Sequence, residues 1–157
     1  MARLMERMNK LEDAEKYYGN ILERYEDAGA LVAFYIRHKD ANPKFVERIR
    51  KFTAASFPDG MKKVAIGDFT AAPTDGVIVN STNQNTERAG LKRGDIFVAL
   101  DGYRVQTLEQ YMLVRGLTDD PKINLIVWNG SKYVEVSVSL QQRRFNNDIS
   151  TYRAGGR

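Results

Sequence analysis

The spacing of apolar residues changes once along this chain, near residue 60, and that change limits what it can fold into. Up to about residue 58 the apolar side chains recur at intervals of three, four and seven, the repeat of an amphipathic helix. From residue 61 they alternate, which is the repeat of a strand with one buried face. Helices followed by strands predict an α+β fold, with a helical segment over 1–58 and an antiparallel sheet domain over 59–142. A chain of 157 residues suffices for one ordinary domain or two small ones.

In the first half, Leu4, Met8, Leu11, Tyr18, Ile21, Leu22 and Tyr25 share one helical face, and Asp27, Ala28 and Gly29 interrupt it. Leu31, Phe34, Tyr35 and His38 line a second helix. After the break at "DANP", Asn42 is placed as an N-cap with Pro43 at the first helical position. Phe45, Ile49 and Phe52 line the third helix, which "FPDG" ends. Each helix has one apolar stripe and needs a neighbour to bury it, a need that repeats of paired helices meet. With Ala14, Tyr18 and Ile21 at a small–aromatic–apolar spacing and Pro58 in the place of a closing proline, residues 1–58 resemble tetratricopeptide repeats. Glu26 stands where the first unit would have its proline, and Arg50 and Thr53 depart from the pattern. The resemblance implies an antiparallel helical scaffold, either a fragment of a longer array or an independent three-helix cap.

In the second half, Val64, Ile66 and then Asp68 or Phe69 lead as a strand into a Pro-Thr-Asp-Gly turn, and "GVIVN" reads as a buried strand. Ile123, Leu125 and Val127 alternate before Asn129-Gly130, and Val134, Val136, Val138 and Leu140 alternate after it. Asn-Gly there predicts a two-residue type I′ hairpin turn. Thr107 and Gln110 have the spacing of a capping box at the start of "TLEQYMLVRGL", and Gly116 is its expected stop. The stretch "AGLKRGDIFVALDG" at 89–102 is the most structured piece of sequence. Gly90 ends a short helix in the left-handed conformation, and Leu91 drops into the core. Asp95 accepts from nearby backbone donors before the strand, and Asp101-Gly102 closes that strand with a hairpin turn.

Ala-Gly-Leu, two residues, Gly-Asp, an alternating strand and Asp-Gly, followed by a helix and a final hairpin, resemble a PDZ domain of the bacterial kind over residues 61–141. The resemblance implies a small antiparallel barrel or sandwich with two helices. It also implies a function: binding a C-terminus or extended segment by β-augmentation, between a strand and the longer helix. Leu108 and Met112, one helical turn apart, would face that groove, and a leucine at 108 implies an apolar ligand side chain; the alternative is that both pack in the core. The family's carboxylate loop is matched only in part. Asp59-Gly60-Met61 supplies Gly60 and Met61, Ile66-Gly67-Asp68 supplies Ile66 and Gly67, and an aspartate in either place repels a carboxylate. The implied peptide-binding set is Gly60, Met61, Lys62, Val64 and Ile66 with Leu108 and Met112. The groove either takes internal segments or is closed by the helical half.

Other functions find less in the sequence. Residues 1–63 hold 13 basic and 10 acidic side chains, 64–140 hold 7 and 9, and 141–157 hold 4 and 1. The basic excess sits at the ends, not on one aromatic-studded face, so no nucleic-acid partner is expected. A Ser-His-Asp triad would need the single histidine, His38, which lies in the helical half. There is no HExxH motif, no Gly-Lys-Ser/Thr phosphate loop and no cysteine. The chain is therefore expected to be non-catalytic, with no cofactor and no metal. The alternative is a regulatory or targeting fragment of a larger PDZ-containing protease. No apolar run approaches the length of a membrane span, and the compartment, cytoplasmic or periplasmic, stays open. Residues 143–157 read as a flexible basic tail, and its last residue, Arg157, is a poor candidate for self-insertion into a groove.

Overall fold

A computed structural model describes residues 2–25, 28–117, 121–139 and 149–155. The side chains of Ile21, Leu22 and Tyr25, and the whole of Glu26, Asp27, Leu140 and Arg157, lie outside what is described. The fold is α+β: helices and one antiparallel sheet. The chain divides into two compact units, Met1–Gly60 with Met112–Asp119, and Met61–Tyr111 with Asp120–Arg157. A change of period marks where the element type switches, but it does not tell which unit a later helix joins.

Four helices make up the Met1–Gly60 part of the first unit: α1 (Ala2–Arg7), α2 (Leu11–Tyr25), α3 (Ala28–Arg37) and α4 (Pro43–Ser56), each packed on the next. The single helix expected from residue 4 onward is broken at Asn9, which sits at φ 57°. Lys10 N–H donates to Met5 O (2.8 Å) and Asn9 N–H to Glu6 O (3.0 Å), the double closure of a helix on a left-handed residue. The break rotates α1 away from the stripe of α2. Leu4 and Met8 are thus 49% and 53% exposed rather than in the core, while Ala2 is buried and Met5 packs beneath. Ala28 and Gly29, expected to interrupt, already belong to α3.

The core gathers Ala14, Tyr18, Leu31, Phe34, Tyr35 and Phe45, with the Phe34 ring 5.2–5.6 Å from those of Tyr18, Tyr35 and Phe45. Asn42 caps α4 as expected, its side chain accepting from Lys44 N–H at 3.0 Å. Glu6 is a polar hub over this core. It accepts from Tyr18 Oη (2.7 Å), from Arg37 Nε and Nη2 (both 3.0 Å), and lies 2.7 Å from His38 Nε2. Burial pushes the Glu6 carboxyl up, but the bonds from Arg37, Tyr18 and His38 outweigh it and hold the group below its ordinary value.

The sheet holds β1 (Asp75–Val79), β2 (Ile96–Leu100), β3 (Tyr103–Arg104), β4 (Lys122–Trp128), β5 (Tyr133–Ser139) and β6 (Ile149–Arg153), with helices α5 (Gln84–Arg88) and α6 (Leu108–Leu117). Its order is β5-β4-β2-β1-β6, all antiparallel, with β3 paired to β2. The sheet is open, with β5 and β6 at its ends, where a barrel or sandwich was expected. At 89–102 the local chemistry is as read. Gly90 takes φ 98°, Leu91 N–H returns to Thr86 O (3.0 Å), and Leu91 is buried. Asp95 accepts from Lys92 N–H at 2.8 Å, and burial pushes its carboxyl above its ordinary value against the pull of that bond. Asp101 and Gly102, at φ 51° and 86°, form the two-residue turn into β3.

Three further expectations fail in this unit. Residues 64–69 make no strand. Asp68 Oδ2 accepts from Ala65 N–H (2.8 Å) and winds Ile66–Asp68 into a 3-10 turn, leaving an isolated bridge between Lys63 and Tyr103. The β4–β5 turn is not centred on Asn129-Gly130: Trp128 pairs with Tyr133, Asn129 N–H donates to Lys132 O (3.1 Å), and of the two expected residues only Gly130 has a positive φ, 97°. Asn129 Oδ1 accepts from the N–H groups of Ser131 and Lys132 (both 3.0 Å), a side-chain closure that competes with the type I′ turn. Finally, the tail read over 143–157 contains β6. Ile149, Thr151 and Tyr152 are β-branched or aromatic, and they find an edge to pair with some 70 residues upstream.

Candidate functional site

The two faces of the sheet follow from its register. Val77, Phe97 and Val127 lie opposite one another on one face, with Thr151 beside Val77. Ile78, Ile96 and Trp128 lie on the other. The start of helix α6, Leu108 to Tyr111, belongs to the first face: the Tyr111 ring is 6.1 Å from that of Phe97, and Leu108 N–H donates to Thr151 Oγ1 at 2.9 Å. The start of α6 is built by Thr107, whose Oγ1 accepts from Gln110 N–H (3.2 Å), while Gln110 Oε1 accepts from Gln106 N–H (2.8 Å). Thr151 thus meets one of the first-turn donors that a helix cannot satisfy internally.

The segment carrying the expected carboxylate loop lies elsewhere. Val64 and Ile66 pack against Ile96, Val98 and Ile126, on the face opposite to α6. Gly60 N–H donates to Phe57 O (2.9 Å), Val64 N–H to Gly102 O (2.8 Å) and Ala65 N–H to Asp68 Oδ2, so these donors are already engaged. Lys62 is exposed and accepts through its backbone from Arg104 N–H (2.9 Å); Met61 is half-buried. Leu108 and Met112 are both half-buried, while Tyr111, Leu113 and Val114 of the same helix are buried. The seven expected residues therefore do not converge: Val64 and Ile66 cover one face of the sheet, and Leu108 stands on the other.

What stands beside Leu108 is the β1 edge and the strand along it. Five residues of β6 pair with β1, from Asp75 opposite Arg153 to Val79 opposite Ile149. Ala154 N–H donates to Thr74 O at 2.8 Å, which fixes the alternation of the ladder: Tyr152 opposite Gly76 and Ser150 opposite Ile78 are the hydrogen-bonded pairs. Asn80 Nδ2 adds a bond to Ser150 Oγ (3.0 Å). The Asp75 carboxylate is held by Arg104 and by Gln106 Nε2 (3.1 Å), and Arg104 also lies over the Phe69 ring, 5.6 Å from its centroid. Sequence reasoning found none of Asp75, Arg104, Thr151 and Tyr152. The one available signal was the β-branched and aromatic content of "ISTYR".

Among the described residues, no three His, Cys, Asp or Glu side chains are grouped so as to hold a metal ion, and no helix is long and apolar enough to cross a membrane. A cleft lined by Glu12, Glu15, Lys16, Asn42, Lys44 and Arg48 opens in the helical unit. Its Arg48 and Glu15 are joined to each other as an ion pair, which leaves the mixed-charge lining without one dominant sign. Comparison with known proteins gives no matching family model and no matching curated protein.

Proposed function

We propose that this chain is a non-catalytic module that recognises extended peptide or protein segments by β-augmentation at the β1 edge, beside the start of α6. What supports the reading is one observation: a five-residue extended segment already lies along β1 and gives a side-chain hydroxyl to Leu108 N–H. An edge that takes such a segment offers backbone hydrogen bonds for affinity and side-chain positions for selectivity. Half-buried Leu108 provides an apolar contact at that place. The PDZ resemblance of 61–141 agrees with this mode of binding, and the helical unit would act as scaffold.

The test is a broad library of C-terminal and internal peptides, with Leu108→Asp as the comparison. A carboxylate at half-buried position 108 keeps contact with water in the unliganded chain and loses it beneath an apolar ligand side chain. The variant is expected to melt close to wild type and to bind selected peptides at least about tenfold more weakly, the equivalent of about 1.4 kcal/mol. A well-folded wild type that selects no peptide would sink the proposal.

A further inference from the structure

This inference rests on the β1 edge being the recognition site, and it concerns what occupies that site. Leu108 N and Thr151 Oγ1 are 2.9 Å apart, so no strand-wide gap of about 4.8 Å remains between β6 and the start of α6. The strand β6 itself fills the interval in which a ligand strand would lie. It does so shallowly. None of its five residues is buried, whereas every residue of β2 is. Its hold on the sheet includes the ladder, the Asn80–Ser150 and Leu108–Thr151 bonds, and one aromatic anchor, Tyr152, set opposite Gly76 and packed, half-buried, on the cluster of Ile96, Val98, Ala99 and Ile126.

We propose that β6 is an exchangeable resident of the β1 edge. The external partner is an extended protein segment with the same side-chain pattern: a hydroxyl residue opposite Val77, an aromatic opposite Gly76 and a cation opposite Asp75. The hydroxyl satisfies Leu108 N–H. The aromatic covers a position where β1 has no side chain of its own. The cation stands directly across the strands from Asp75, adding a second positive charge beside the carboxylate that Arg104 already pairs. A tethered occupant competes at the high effective concentration of an intramolecular ligand, so β6 sets a threshold that only a matching segment passes.

The probe is a fluorescein-labelled peptide with the sequence of residues 148–155, DISTYRAG, added to the full chain and to the full-length Ser150→Pro/Tyr152→Pro variant. Those prolines remove the two N–H groups that face β1. The variant is expected to keep a cooperative melt and to bind the peptide at least about tenfold more tightly than wild type. A peptide with valine in place of its threonine should bind the variant several-fold more weakly. Equal affinity for both chains would overturn self-occupancy while leaving peptide recognition standing. Binding to neither chain, with the variant folded, would overturn both. An unfolded variant would make β6 part of the obligatory core and overturn the inference. Hydrogen exchange on the wild type gives an independent reading: Gly76 and Ile78 amides should exchange at least about tenfold faster than those of Val77 and Val79, which face β2. Uniform protection across β1 would contradict an exchangeable strand.

Discussion

Gly76→Ala is the sharpest perturbation of the sheet that carries the site. Gly76 sits at φ 153°, and a Cβ there would lie 2.6 Å from Phe97 O and 2.8 Å from Ile96 Cγ2. The first of these is a backbone atom in the strand paired with β1, so no rotamer change relieves it. An L-residue in this glycine region costs about 1–3 kcal/mol, and forcing a methyl group into a closed space costs about 1–3 kcal/mol more. The expected loss is thus about 2–6 kcal/mol against a total of about 5–15 for a domain. Even the lower figure lowers the melting midpoint by about 8 °C for a unit of this size. Urea titration followed through the single tryptophan, Trp128, reads this unit directly, because its ring lies 4.9 Å from that of Tyr133 across the β4–β5 pair. Gly67→Ala is the control: its φ is not in the glycine region and nothing lies within 4 Å of its Cβ position, so a change within about 1 kcal/mol is expected. A Gly76→Ala variant within about 0.5 kcal/mol of wild type, or a Gly67→Ala loss of the same size as that at Gly76, would refute the argument.

Two further outcomes concern the helical unit. The folded Glu6 carboxyl lies below its ordinary value of 4.5, so the hub contributes in full above that value and is lost as pH falls through the lowered one. Circular-dichroism melts should show an acid loss of helical stability that Glu6→Gln removes, and an unchanged acid profile in the variant would count against the hub. Replacing the cap, Asn42→Ala, should cost about 1 kcal/mol by freeing Lys44 N–H, and chemical denaturation will show whether it does.

Features settled by neighbours a few residues apart were legible in the sequence. Asn42 before Pro43, Gly90 before Leu91, and Asp101 with Gly102 each have one low-energy local arrangement, and each adopts it. Where two local arrangements compete, reading failed. Asn9 ends a helix whose apolar spacing continues through it, Asp68 tightens a turn where alternation suggested a strand, and Asn129 closes its loop with its side chain. Of the candidate site, Leu108 could be found from the capping pattern before it. Its neighbour Thr151 could not, because pairing between β1 and β6 joins segments some 70 residues apart and leaves no periodic trace in five residues. The same distance explains the tail. Its flanking Asn, Arg and Gly residues read as loop, and only the free edge of β1 makes 149–153 a strand.

The central claim is that extended segments are recognised at the β1 edge, and amide chemical-shift mapping on the labelled full chain tests it most directly. The probe is the tightest-binding peptide selected from a displayed library of extended sequences. The account predicts the largest shifts at Gly76, Ile78 and Leu108, with backbone contacts between the peptide and β1 in antiparallel register. Shifts confined to β5 or to the helical unit would contradict it.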